Sequence, residues 1–98
     1  MKKPLNKKQL EANLKSISGW TVNKKETELS KKFKQPDFIS GLMFAARITV
    51  RAELEGHHPI LELAYGSVKI KLSTHEIKGL TKKDFTLAKM IDDIYDRM

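Results

Sequence analysis

Apolar residues recur at helical spacing in three stretches of the chain and alternate with polar ones in two pairs of shorter stretches. Leu5 to Leu10 reads as a helix start. Asn6 can cap it, Gln9 can reach back to the cap, and Leu5 can pack on Leu10. Leu10, Leu14 and Ile17 keep the spacing, and Gly19 can end the helix. Trp20 to Val22 and Leu29 to Lys34 read as two strands around a polar turn from Asn23 to Thr27. Leu29, Lys31 and Phe33 then share one face. Gln35-Pro36-Asp37 opens a second helix, with proline suited to the first helical position, and that helix runs to about Leu54. Ile39, Leu42, Met43, Ala46, Val50 and Leu54 form one apolar stripe on it, and Phe38, Ala45, Ile48 and Ala52 form another. A helix apolar on two sides is usually covered on two sides, one by the sheet and the other by a partner. Ile60 to Tyr65 and Val68 to Thr74 alternate as a hairpin, with Gly66-Ser67 as its turn. The last helix begins near Thr81 and carries Leu87, Ala88, Ile91 and Ile94. The order α-β-β-α-β-β-α predicts an α+β fold: a four-stranded antiparallel sheet with three helices packed on one face.

Composition adds limits. Residues 1–98 fit a single domain. With 40% apolar and 32% charged residues, the chain is ordinary for a soluble globular protein. So small a domain buries a modest share of its surface, and association can add to its stability. The net charge of +7 lies entirely in residues 1–34, where ten lysines face Glu11, Glu26 and Glu28. A basic domain can bind nucleic acid. These lysines, however, are spread over a helix, a turn and a strand, with only Trp20 and Phe33 as aromatic company. They read as a solvated face, and nucleic acid is not an expected partner. The absence of cysteine excludes disulfides and thiolate chemistry and fits a reducing compartment. No apolar run approaches the ~18 residues of a membrane span. The start MKKPLNKKQL lacks the apolar centre of a secretory signal. The expected location is the cytoplasm.

The chemistry concentrates on histidine. The chain has three, two of them adjacent in Gly56-His57-His58-Pro59 and the third at His75. A turn at Gly66-Ser67 pairs Tyr65 with Val68, Leu63 with Ile70, Leu61 with Leu72 and Pro59 with Thr74. One step further, His58 would oppose His75 at ~4.5–5.5 Å between Cα atoms. A cluster of imidazoles suits proton transfer, because histidine titrates at ~6.5. Glu53 at the end of the second helix and Asp84 in the first turn of the third could each orient an imidazole. Thr81-Lys82-Lys83-Asp84 is equally a capping box, and Glu53 equally an exposed helix-end acid. Imidazole also binds zinc. Adjacent histidines in an extended chain point to opposite faces, which makes joint ligation awkward, and no metal is expected.

The run Glu53-Leu54-Glu55-Gly56-His57-His58-Pro59, then Tyr65, Leu72-Ser73-Thr74-His75-Glu76, Gly79-Leu80 and Asp84, resembles the pterin-4a-carbinolamine dehydratase family. Gly19-Trp20, Phe33, Phe38 and Ala52-Glu53 are similar to its upstream pattern. The resemblance implies dehydration of 4a-hydroxytetrahydropterin to quinonoid dihydropterin, in recycling of the pterin used by aromatic amino acid hydroxylases. It implies no cofactor beyond the pterin substrate, and assembly as a homodimer or homotetramer. It makes His57, His58 and His75 the proton-transfer groups, with His58 and His75 around the reacting hydroxyl. Asp84 would orient His75, and Glu53 would support the His-His loop. Gly56, His57, His58, Ser73, Thr74, His75, Glu76 and Lys83 would contact the pterin. Lys83 stands where relatives often carry Arg, Gly56 where they often carry Asp or Asn, and Leu61 where many carry Trp. The competing reading is a non-catalytic scaffold or regulatory partner of the same fold, for which the doubly apolar second helix is a suitable surface.

Overall fold

The computed structural model describes residues 3–98; Met1 and Lys2, the first residues of the basic stretch, lie outside them. Helix α1 spans Lys7–Leu14 and strands β1 and β2 span Thr21–Val22 and Leu29–Lys34. Helix α2 spans Phe38–Glu55, strands β3 and β4 span Ile60–Ala64 and Ser67–Leu72, and helix α3 spans Lys82–Asp96. A short 3₁₀ turn, His75–Ile77, stands between β4 and α3. All strand pairs are antiparallel, in the order β1-β2-β4-β3. The fold is α+β, with the element order expected from the sequence.

Local chemistry sets the helix ends. Asn6 and Gln9 form the reciprocal capping box of α1, at 2.8 and 2.9 Å. That helix stops at Leu14, short of Gly19. Ser16 and Ile17 turn their backbone N–H groups to the carbonyls of Asn13 and Leu14, and the Ser16 hydroxyl takes the Asn13 carbonyl at 2.6 Å. Such three-residue bonds tighten the chain out of the α-helix. Pro36 is not the first helical residue of α2. Asp37 is the cap, accepting from the Ser40 N–H at 2.7 Å, and Phe38 follows it.

Alternation explains the core. Val68, Ile70 and Leu72 of β4 are buried, as are Leu29 and Phe33 of β2, while Ser67, Lys69 and Lys71 face away. Leu10 of α1, Phe44 and Ile48 of α2, and Phe85, Leu87, Ala88 and Ile91 of α3 close over the apolar face in one cluster. Phe33 lies at its centre, with Trp20, Phe44 and Tyr95 at ring-centroid distances of 5.9, 5.1 and 4.9 Å. The Trp20 indole donates to Asp92 at 3.0 Å, which ties the loop before β1 to α3. The stripe of α2 that runs from Ile39 to Leu54 stays open. Ile39, Leu42, Val50 and Leu54 are 57–71% exposed, and Phe38, which shares a stripe with the buried Ala45, Ile48 and Ala52, is 52% exposed.

The hairpin differs from expectation in one respect that matters for the histidines. Its turn is Tyr65-Gly66, with Ala64 opposite Ser67, Leu63 opposite Val68 and Leu61 opposite Ile70. Gly66 takes the left-handed conformation (φ 84°) and therefore fills the second central position of the turn, where the sequence reading had put it first. Every partner shifts by two residues. The period of a strand is also two, so each side chain keeps its face. The ladder ends at Ile60 and Lys71, ahead of Pro59, which has no N–H to give. His58 and His75 are therefore not cross-strand partners. Extended past its end, the same register would set His57 level with Thr74.

The Ser40 backbone N–H holds the Asp37 carboxyl below its ordinary value of 3.8, so the ionised form stabilises the fold. A lowered folded pKa adds stability above the unfolded value and loses it as pH falls. Asp37→Ala should lower the urea midpoint at pH 7, and that deficit should narrow below about pH 4. Asp37→Asn should keep most of the cap at both pH values. Urea titrations at the two pH values read both outcomes.

Candidate active site

Three chain segments converge at the first turn of α3. The first leaves α2. Gly56 ends that helix in the left-handed conformation (φ 65°), and the next N–H, that of His57, bonds back to the Ala52 carbonyl at 3.1 Å. This reversal turns His57 inward, to 9% exposure, and leaves His58 outside. Asparagine and aspartate also enter this conformation more readily than other residues, so Gly56 performs the backbone task that those residues can perform.

The second segment leaves β4. The Thr74 N–H bonds the Gly79 carbonyl at 2.9 Å, and Ile77 and Lys78 bond back to Thr74 and His75. The loop thus closed presents His75 and Glu76 to solvent. Gly79 is needed for its small size, because a Cβ there would stand 2.7 Å from Cβ of Pro4. The third segment is the α3 cap, Thr81 to Asp84.

Asp84 joins all three. It has no solvent exposure. One carboxylate oxygen meets His57 Nε2 at 2.6 Å. The other receives the Thr74 hydroxyl at 2.8 Å and the Thr81 N–H at 2.9 Å. The hydroxyls of Thr74 and Thr81 lie 2.8 Å apart. Asp84 therefore caps its helix and holds an imidazole at once, which the sequence reading had treated as alternatives. The imidazole is His57, not His75 as expected, because the register brings the exit of α2 level with Thr74. Thr81 was missed as a site residue. The clue was its place opposite Asp84 in the capping box, beside a second threonine at the strand exit.

The remaining candidates lie around this centre. His58 Nε2 meets the Glu53 carboxylate at 2.6 Å, and both side chains are largely exposed. His75 Nδ1 is 3.5 Å from the Ser73 hydroxyl, in a depression of about 260 Å³ shared with Glu28 and Lys78. His57 lines a cavity of about 150 Å³ with Glu55, Lys82, Lys83, Thr86 and Leu87. Lys83 and Lys82 also border a cavity of about 480 Å³, with Leu5, Thr74, Glu76 and Ile77. Thr74 lies between the depression of His75 and this larger cavity. Among the described residues no two imidazoles share a hydrogen bond, and no three acids or histidines are grouped to hold a metal.

An imidazole set on a buried carboxylate, beside a cavity bordered by lysines and with two further imidazoles exposed nearby, is equipment for moving protons on a small bound molecule. The chain belongs to the pterin 4 alpha carbinolamine dehydratase family, whose model matches residues 3–94. Two relatives bear the name "Putative pterin-4-alpha-carbinolamine dehydratase". That of Nostoc punctiforme is 39% identical over 90 residues and that of Roseiflexus castenholzii 40%; each match covers 92% of this chain and 95% of the relative. A crystal structure described as a transcriptional coactivator/pterin dehydratase from Brucella melitensis has a TM-score of 0.89 and 28% identity. It covers 94% of this chain and 98% of that one. A pterin dehydratase-like protein described as a RuBisCO assembly factor in the alpha-carboxysome shares the fold, with a TM-score of 0.67 and 19% identity over 79% of this chain and 89% of that one.

Asp84→Asn separates the roles of the two carboxylate oxygens. The Thr81 N–H can only donate, so the amide oxygen must turn to it and the amide nitrogen must face His57. His57 Nε2 then has to accept. The variant should lose about 1–3 kcal/mol of stability, and the His57 proton should move to Nδ1. Imidazole ¹⁵N chemical shifts would register the exchange.

Proposed function

We propose that this protein dehydrates 4a-hydroxytetrahydropterin to quinonoid dihydropterin by histidine acid–base catalysis. The observation that carries the reading is the buried Asp84–His57 pair beside a cavity, in a chain of this family. In the reaction the C4a hydroxyl takes a proton and departs as water, and the adjacent ring nitrogen loses a proton as the C=N bond forms. Nothing is oxidised or reduced, so the chemistry asks for no cofactor. His57 is the best-held imidazole and is assigned one of the transfers. His75 is assigned the other, with His58 and its partner Glu53 lining the approach. The backbone from Ser73 to Glu76 offers polar groups to the pterin edge, and Lys83 offers a cation beside His57. Tetrahydrobiopterin recycling beside an aromatic amino acid hydroxylase, in the cytoplasm, is the setting that this substrate implies.

The exposed stripe of α2 favours a partner surface as well. Ala46 is its small central residue, with Leu42 and Val50 one turn to either side, a pattern that suits an antiparallel copy of the same helix. A homodimer or homotetramer is therefore part of the proposal. The second reading, a scaffold without catalysis, rests on this same face and on the roles named for two structural neighbours.

Dehydration of chemically generated 4a-hydroxytetrahydropterin tests the enzyme reading. Wild type should exceed the spontaneous rate, and His57→Ala and His75→Ala should each lose roughly 10²–10⁴-fold. His58→Ala should lose less. A folded wild type that adds nothing to the spontaneous rate would leave only the scaffold. Light scattering tests assembly: wild type should exceed the mass of the 11.2 kDa chain, and Leu42→Glu should reduce it.

A further inference from the structure

The geometry points to Thr74 and Thr81 as positioning residues that fix which nitrogen of His57 carries the proton. The argument is one of donors. The Thr81 N–H can only donate, and it occupies Asp84 Oδ2 at 2.9 Å. Thr74 gives its hydroxyl proton to the same oxygen at 2.8 Å. A hydroxyl has a single proton, so the 2.8 Å contact between the two threonines must run from Thr81 to Thr74. The chain is thus directed, from Thr81 through Thr74 to Asp84. With Oδ2 held by two donors, the carboxylate is turned so that Oδ1, an acceptor, faces His57, and Nε2 must bring the proton to it.

Nδ1 is left as the accepting nitrogen. It has no hydrogen-bond partner among the described residues, yet it is not sealed from solvent, and the ring lines the cavity of about 150 Å³. Thr74 has a second attachment. Its N–H and carbonyl close the loop that carries His75, through Gly79 and Ile77 at 2.9 and 3.2 Å. One residue therefore orients the carboxylate that sets the tautomer of His57 and seats the turn that holds His75. Positioning of the ring stands independently of what the site catalyses; its consequence for rate rests on the dehydratase reading.

Thr74→Val keeps the shape and removes the hydroxyl, and Thr74→Ser keeps the hydroxyl and removes the methyl. In the full chain, Thr74→Val should lower kcat for dehydration about tenfold or more with KM little changed, and Thr74→Ser should restore it. Imidazole ¹⁵N and Nε2–H resonances should show a single tautomer of His57 in wild type and in Thr74→Ser. In Thr74→Val they should show mixed tautomers or a faster-exchanging proton. Wild-type kcat and an unchanged His57 resonance in a folded Thr74→Val would overturn the inference, as would equal loss in Thr74→Ser, which would assign the effect to packing. Should Thr74→Val fail to fold, Thr74→Ala, which removes the same donor with less bulk at the site, answers the same question through the same resonance. Should wild type not accelerate dehydration, the enzyme reading falls and the tautomer readout alone decides the positioning role.

Discussion

One buried charge organises this molecule. A carboxylate out of contact with water is costly unless its oxygens are filled by donors. Asp84 is filled from three directions: its own helix cap, the exit of β4 and the exit of α2. Each donor arrives only if its segment stands in one position. The left-handed Gly56 delivers His57, the bridge between Thr74 and Gly79 delivers the threonine hydroxyl, and the cap delivers the Thr81 N–H. Leaving a buried acceptor unsatisfied typically costs about 1–3 kcal/mol, so all three connections are held to one geometry. What secures the joint between sheet and helices is also what sets the candidate acid–base group.

The sheet supplies the rigidity behind this joint. The central strands β2 and β4 turn their apolar side chains to the helices, and the aromatic contacts of Phe33 join β2 to α2, α3 and the loop before β1. Helix α2 serves two ends. Phe44, Ile48 and Ala52 lock it to the sheet, so its last turn can aim His57; its other side carries the exposed stripe. The candidate cluster at the end of this helix and the apolar face along it do not compete for residues.

Much of this was legible in the chain. The Asn6–Gln9 box, the alternation of Val68, Ile70 and Leu72, and the helical spacing from Leu87 to Ile94 depend on neighbours within a turn or a strand. A periodic pattern carries that information directly. The candidate residues could be picked out of the chain: His57, His58, His75, Glu53 and Asp84 fall at or just past the ends of α2, β4 and α3. Their connections were read wrongly. Asp84 was given to His75 and its capping role was set against its imidazole role. The turn was placed one residue late, and Thr81 was passed over as a cap alone.

The sequence by itself determined which elements form, in what order, and which face of each is apolar, because those properties repeat every two or about 3.6 residues and are set locally. Tertiary structure alone decided which imidazole meets the buried acid. That bond spans 27 residues, and its partners depend on where one glycine sits in a turn. Moving the turn by one residue shifts every cross-strand partner by two and leaves the inward and outward pattern unchanged. The hydrophobic pattern therefore cannot distinguish the two registers, and only the packing of Thr74, Thr81 and His57 around one carboxylate does.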